Sequence, residues 1–291
     1  MNKTKMRLFL YLLLSFGLTF VWFALTMPKG ETWQEMPMEM QSFVALGMLF
    51  PVIAHVLTRW ITKEGFAMCG RDSMMLGIDF SSGKWVYYLA AMFLPWIYVE
   101  LGNVIALCIC PKMYDAQYYL SLDIEKRFLI IFPLAAIVSS VVASFAAFGE
   151  EGGWRGYMMP KLMEVMGRKK ALLVGGIIWG LWHMPLTCIG HNFGTDYPGF
   201  PYLGIFYMCM FCVLIGIVLT FLTEKSGSVW PAAILHAVNN AQPSILNGYI
   251  NPEKGEKILG MSPSWWGLMI SMLLTAVVVC VIWKKTTTKE G

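Results

Sequence analysis

Residues 128–160 read FLIIFPLAAIVSSVVASFAAFGEEGGWRGYMMP. The first 21 of them carry no charge, and a helix of about 20 apolar residues crosses the hydrocarbon core of a bilayer. Phe128–Phe148 is therefore a predicted membrane span, and Glu150 and Glu151 follow it directly. Because an ionisable side chain within a bilayer costs about 2.5–3.5 kcal/mol on insertion scales, this pair is a candidate functional site.

The whole chain shares this apolar character. Of its 291 residues 57% are hydrophobic and 14% are charged, whereas soluble proteins have about 25% charged residues. The net charge of +4 is small and forms no basic patch with interleaved aromatics, so nucleic acid is excluded as a partner. The seven cysteines show no CxxC pair and are interpreted as packing residues.

These patterns predict an all-α, polytopic membrane protein with about eight transmembrane helices, and therefore lipid as a partner. The predicted spans are Leu8–Met27, Ser42–Ile61, Trp85–Cys108, Phe128–Phe148, Ala171–Gly190, Tyr202–Leu222, Val229–Ile250 and Trp265–Trp283. The second contains Pro51, His55 and Arg59, so a short, kinked or interfacial helix is an alternative there. No linker divides the chain, so 1–291 is expected to form one membrane domain.

Orientation follows from the bias of Lys and Arg toward cytoplasmic loops. With the N-terminus inside, sixteen of the 22 basic residues lie on the cytoplasmic side and six on the other. Both termini are then cytoplasmic, in the plasma (inner) membrane if the source is bacterial. The predicted loop from Gly149 to Lys170 falls on the cytoplasmic side, which places the Glu pair near that leaflet.

The glutamates differ in their expected partners. Glu151 and Arg155 are four residues apart, the spacing of an ion pair on one helix face. Glu150 points about 100° away and is left to face a cavity. Gly152 and Gly153 cost about 1 kcal/mol each within a helix, so the helix could also end there and the pair simply begin a solvated loop.

Two further polar groups lie on other apolar spans. Pro185 is expected to kink the helix at His183, so that His183 lines a cavity or is a buried histidine bonded to a neighbour. His236 and Asn240 share a helix face and could hold an oxyanion or join helices as polar contacts. Together the groups supply a general base and oxyanion donors, which indicates hydrolysis by water, because no Ser or Cys lies in a nucleophile pattern.

These motifs resemble the CAAX protease and bacteriocin-processing (CPBP or Abi) family of intramembrane proteases. The resemblance covers about Phe128 to Leu246, predicted as a catalytic core at 128–246. It rests on E-E-x-x-x-R, on an aromatic residue four before a histidine, and on H-x-x-x-N. The matching residues are Glu150, Glu151, Arg155, Trp179, His183, His236 and Asn240. Many members carry Phe at the position of Trp179, a difference interpreted as conservative.

The resemblance implies eight helices and a catalytic cavity open to the cytoplasm. It implies that Glu150 and His183 activate water and that His236 and Asn240 stabilise the oxyanion. Glu151 would then complete the catalytic set with Arg155 supporting it. The implied substrate is a peptide or protein, membrane-embedded or membrane-proximal, that in some members of the family is lipid-modified.

The cofactor is left open between two alternatives. Glu150, His183 and His236 form a ligand set that suits a catalytic zinc ion. The H-E-x-x-H motif of zinc proteases is absent, however, and a metal-free mechanism would use the same residues.

Two non-protease functions compete with this interpretation. One is a non-catalytic membrane protein of the same family that confers immunity or acts as a scaffold; the complete motif set favours an enzyme. The other is a transporter, in which His55 and Glu100 would be the additional ionisable residues. The two halves of the chain show no inverted repeat, which speaks against a transporter.

Overall fold

The computed structural model describes residues 3–70 and 72–287. Arg71 and Lys289, two of the basic residues used to predict orientation, lie outside this part of the chain. The regular structure of the described residues is helical, so the predicted all-α class is confirmed.

Twelve α-helices occur in the described residues. They are α1 Lys3–Thr26, α2 Met38–Ala45, α3 Phe50–Thr62, α4 Trp85–Ile109, α5 Tyr118–Ser121, α6 Phe128–Gly153, α7 Met159–Met166, α8 Arg168–Trp182, α9 Met184–Thr187, α10 Tyr202–Ser226, α11 Trp230–Ala241 and α12 Pro263–Thr287.

Six helical segments in the described residues are long and apolar enough to cross a membrane. They are Lys3–Thr26, Met38–Thr62, Ser81–Ile109, Phe128–Met166, Tyr202–Ser226 and Pro263–Thr286. The protein is therefore an integral membrane protein. The remaining two predicted spans, Ala171–Gly190 and Val229–Ile250, were predicted too long, because α8 has 15 residues and α11 has 12. At 1.5 Å per residue these helices are about 22 and 18 Å long, shorter than the hydrocarbon core of about 30 Å.

Local sequence explains why α8 and α11 are short. α8 ends at Trp182, and His183 separates it from the short turn α9, where Pro185 is tolerated because it lies in the first turn. The predicted kink is thus a break between two helices. α11 ends at Ala241. The next residue, Gln242, has a left-handed φ of 43° and precedes Pro243, a residue that cannot continue a helix.

The glutamate pair lies inside a long helical segment. α6 runs through Gly152 and Gly153, continues as a π-helical turn at Trp154–Met158 and joins α7. The predicted loop from Gly149 to Lys170 is therefore wrong, and so is the alternative of a solvated loop. The glycines serve close packing, because a Cβ on Gly153 would lie 2.4 Å from the Pro51 carbonyl carbon of α3.

Helix packing surrounds the second half of α6. α6 packs against α3 on one side and α11 on another, α8 packs against α10, and α4 packs against α12. Gly176 and Gly180 allow the close approach of α8 to α10, since a Cβ on either would lie 2.5 Å from a Cα atom of α10. Nearly every residue of α11 is buried, so this short helix lies within the bundle.

One end of the bundle holds both ends of the described chain, and we call it the terminal end. Arg7 Nε near the start of α1 lies 3.6 Å from Glu64 Oε1. Trp283 Nε1 near the end of α12 donates a hydrogen bond to Glu224 Oε1 at 3.2 Å. Lys161, which donates a hydrogen bond to Glu64 Oε2 at 2.6 Å, lines the same cavity as Glu224, so the two contacts lie at the same end.

The opposite end, which we call the distal end, is formed by loops that bond to one another. The Trp33 amide donates to the Ile189 carbonyl at 2.7 Å, joining the loop after α1 to the loop before α10. The Trp265 indole at the start of α12 donates to the Asn192 carbonyl at 3.0 Å. These bonds fix the ends of α1, α9 and α12 relative to one another.

Candidate active site

A cavity of about 300 Å³ brings the predicted polar groups together. The candidate side chains that line it are Glu150, His183, His236 and Asn240. Residues of the distal end complete its wall, among them Phe23, Trp33, His191, Gln242 and Trp265. The three polar constellations predicted from separate helices therefore share one cavity.

Glu150 is held by an indole. Its carboxylate is 2% exposed, and Oε2 accepts a hydrogen bond from Trp179 Nε1 at 2.6 Å. None of the described residues donates to Oε1, the second carboxylate oxygen. A short charge-assisted bond of this kind fixes the orientation of a carboxylate and leaves one oxygen for a ligand.

Glu151 is the centre of a buried ion cluster. Oε1 accepts a hydrogen bond from Arg155 Nη1 at 3.0 Å, which confirms the ion pair predicted from their spacing. The same oxygen lies 2.8 Å from His236 Nδ1. Because a carboxylate accepts, His236 donates through Nδ1, and Nε2 is the nitrogen available to the cavity.

His183 follows the last residue of α8 and bonds to its own helix. Its Nδ1 lies 2.9 Å from the Trp179 carbonyl oxygen, which makes Nδ1 the donor. Nε2 is then the nitrogen available for proton sharing. The Trp182 ring packs edge-on against the His183 ring at 4.8 Å, and its indole donates to Thr19 Oγ1 at 2.9 Å, which fixes the wall beside the histidine.

Asn240 and its neighbour Asn239 both line the cavity. Asn239 is buried and accepts a hydrogen bond from Tyr98 Oη of α4 at 2.8 Å. Asn240 lies one turn from His236 on the same face, as its spacing predicted. Tyr98 was not identified from the sequence, because an apolar span gives no sign of which helix will contact α11.

Trp179 lies at the centre of the site. Besides bonding Glu150 and His183, its ring contacts the His236 ring at 5.5 Å between centroids, and the Arg155 guanidinium lies 4.1 Å from its centroid. The interpretation of this residue as a conservative replacement for Phe is therefore wrong. A phenyl ring has no N–H to donate, whereas here the indole N–H holds the Glu150 carboxylate.

Trp179→Phe tests this positioning role. Losing a hydrogen bond to a charged group costs about 1.5–3 kcal/mol, and each 1.36 kcal/mol is tenfold in rate. We expect kcat for peptide cleavage to fall about 10- to 100-fold with little change in KM. Trp182→Phe, which removes the indole bond to Thr19, is the matched control and is expected to lower kcat less. Equal kcat values in the two variants would contradict the role.

His55 and Glu100 form hydrogen bonds with neighbouring elements and do not line the active-site cavity. His55 Nδ1 donates to the Gly152 carbonyl at 2.7 Å, and its Nε2 accepts from Arg59 Nε at 2.7 Å. This joins α3 to the residues beside Glu151. Glu100 accepts hydrogen bonds from Ser244 Oγ at 3.0 Å and from the Ile245 amide, so it fixes the loop after α11.

His191 is a cavity residue that the sequence did not single out. It lies in the loop before α10, and its ring packs edge-on against Trp33 at 4.6 Å. Burial lowers the pKa of His191 to about 4, so the imidazole is neutral at pH 7. The distal wall of the cavity is therefore aromatic and uncharged at this position.

The arrangement of the side chains does not support the zinc alternative. Among residues 3–70 and 72–287, no three His, Cys, Asp or Glu side chains are arranged to hold a metal ion. Glu150, His183 and His236 line one cavity but do not converge as a ligand set, and the Trp179 ring lies against both imidazoles. A metal ion is therefore not assigned a role in this cavity.

The segment that contains these residues is similar to known proteins. Residues 132–242 match the family model described as Type II CAAX prenyl endopeptidase Rce1-like. The predicted resemblance to the CAAX protease family is confirmed. The matched segment includes the glutamate pair, both candidate histidines and Asn240.

One curated CAAX protease is similar to this chain over a segment of comparable length. The chain is 34% identical over 105 residues to CAAX prenyl protease 2 of Methanococcus maripaludis. This match covers 35% of the present chain and 38% of the relative. The match therefore spans about a third of the present chain and less than half of the relative's length.

Proposed function

We propose that this protein is an intramembrane endopeptidase that hydrolyses a peptide bond with a water molecule activated by Glu150 and His183. One observation carries the proposal: the Glu150 carboxylate shares a cavity with His183, His236 and Asn240. The resemblance of residues 132–242 to the Rce1-like CAAX prenyl endopeptidase family supports it.

Glu150 is the proposed general base. Its Oε2 is occupied by Trp179, so Oε1 takes a proton from the water. The water oxygen attacks the carbonyl carbon, the C–N bond breaks, and the proton passes to the leaving nitrogen. His183 Nε2 shares a water proton, because Nδ1 of this ring is fixed by the Trp179 carbonyl.

His236 and Asn240 are the proposed oxyanion donors. The Asn240 carboxamide donates through its NH2 group, and His236 donates through Nε2 when the ring carries its second proton. The Glu151 carboxylate at Nδ1 is the counterion for that form of the ring. Arg155 completes the cluster on the other side of Glu151.

The proposed substrate is a peptide or protein segment in or next to the membrane. The cavity wall combines aromatic and aliphatic side chains with a few polar ones, which suits a peptide that presents apolar side chains. The family and the archaeal relative are named for prenyl-protein cleavage, so a lipid-modified substrate is one form of this proposal.

His183→Ala tests the proposal with membrane peptides as readout. We expect cells that make this variant to retain the peptides that the wild type cleaves, since positioned acid–base groups contribute about 10²- to 10⁴-fold in rate. Mass spectrometry of membrane peptides from wild-type and variant cells measures the difference.

Met184→Ala is the matched control, because Met184 is the next residue and does not line the cavity. It is expected to leave the peptide pattern unchanged. Detergent gel filtration shows whether both variants fold. Undiminished cleavage by folded His183→Ala protein would contradict the proposed role of this histidine.

A further inference from the structure

The active-site cavity reaches the distal end of the bundle. From Glu150 it extends to Phe23 near the end of α1, to His191 before α10 and to Trp265 at the start of α12. All three lie where the distal loops bond to one another. Asn192 and Gln242, which line the cavity at this end, are exposed, so the cavity mouth is at the opposite end from both ends of the described chain.

The terminal end has a cavity of its own, of about 430 Å³. Its wall includes Arg59, Tyr157, Lys161 and Glu224, and it reaches inward as far as Arg155. None of Glu150, His183, His236 or Asn240 lines it. The Glu151–Arg155 ion pair, which is buried, therefore stands between this second cavity and the candidate catalytic groups.

The distribution of basic residues orients the bundle. Of the 20 Lys and Arg residues in the part of the chain that the structure describes, fourteen lie on the side of the termini, and the six on the other side are Lys29, Lys112, Lys126, Arg127, Lys254 and Lys257. By the positive-inside rule the terminal end is cytoplasmic. A cavity open to the cytoplasm and cytoplasmic termini, both expected from the sequence, exclude each other in this fold.

We infer that substrate reaches Glu150 from the extracytoplasmic face of the membrane, through the mouth at the distal end. The substrate class is then a peptide segment exposed at, or anchored in, the outer surface of the membrane. This inference rests on the proposed protease function for its substrate. The direction of access follows from the fold and the charge distribution.

Labelling of single cysteines in intact cells tests the orientation. Cys69, exposed in the loop between α3 and α4 at the terminal end, is kept as one single-cysteine variant. Asp196→Cys, in an exposed loop of the distal end, is the other. A membrane-impermeant maleimide is expected to label Asp196→Cys in intact cells. It is expected to label Cys69 only after the cells have been permeabilised. Labelling of Cys69 in intact cells would overturn the inference.

Blocking each cavity in purified protein tests the route independently of orientation. Gln242→Cys lies at the mouth of the active-site cavity, and Pro160→Cys lies at the second cavity. A bulky maleimide on Gln242→Cys is expected to abolish cleavage relative to the same variant before labelling. The same reagent on Pro160→Cys is expected to leave the rate unchanged, and the reverse pattern would overturn the proposed route.

The two proposals fail in different ways. If detergent-solubilised protein shows no cleavage that depends on Glu150, the protease proposal fails, while the labelling still reports the orientation. If cleavage depends on Glu150 but Cys69 is labelled in intact cells, the protease proposal stands and extracytoplasmic access is wrong.

Discussion

Glu150→Gln is expected to lower the rate of peptide cleavage by about 10³-fold while the protein still inserts and folds. Gln keeps the size of the side chain, and its carbonyl oxygen can still accept the Trp179 indole hydrogen bond. What it loses is the ability to take a proton, which is worth about 10²- to 10⁴-fold for a positioned base. Single-turnover cleavage in detergent measures the change in rate.

Glu100→Gln is the matched control for this variant. Glu100 is also a carboxylate within a membrane helix, but it bonds to the loop after α11 and does not line the active-site cavity. We expect its cleavage rate to stay near that of the wild type. Equal rates for Glu150→Gln and wild type would exclude Glu150 as the base.

Glu151→Leu is expected to lower the free energy of unfolding by about 3–5 kcal/mol. The change leaves the Arg155 guanidinium buried without its carboxylate, and removing one partner of a buried ion pair has costs of this size. It also removes the acceptor for His236 Nδ1. Unfolding of the purified protein in mixed micelles with increasing SDS measures the difference.

Two companion variants separate charge from packing. Glu151→Leu combined with Arg155→Met replaces the ion pair by apolar side chains and is expected to recover most of the stability but not the activity. Arg168→Met breaks the exposed pair with Glu224 at 2.6 Å and is expected to cost less than about 1 kcal/mol. A Glu151→Leu protein as stable as Arg168→Met would show that the buried pair is not required for folding.

Contacts within one helix could be predicted from the sequence. The spacing of Glu151 and Arg155 predicted an ion pair, which the structure contains. The spacing of His236 and Asn240 predicted a shared face, and both side chains line the same cavity. Helical periodicity fixes which side chains are neighbours three or four residues apart, so such predictions need no knowledge of packing.

The ends of the short helices could not be predicted by hydropathy. The apolar run that begins at Val229 continues to Ile250, yet α11 ends at Ala241. Hydropathy reports whether side chains avoid water and not whether the backbone is helical. The residues that follow α11 remain partly buried in distal loops, where they keep an apolar character without forming a helix.

Contacts between helices also escaped prediction. The indole of Trp179 and the carboxylate of Glu150 are 29 positions apart, and only the packing of α8 near α6 brings them together. The direction in which the cavity opens depends on the lengths of α8 and α11 and on the distal loops. For this reason the sequence alone did not show that the cavity opens at the end opposite the termini.

The short α8 makes bilayer thickness a variable of the site. Leu173, Ile177 and Leu181 are exposed on its outer face, where acyl chains would lie, but the helix is about 22 Å long. The hydrocarbon layer beside α8 must become thinner to match the length of this helix. This deformation costs fractions of a kcal/mol per ångström of hydrophobic mismatch. Membranes with shorter acyl chains reduce this mismatch next to α8, which ends one residue before His183.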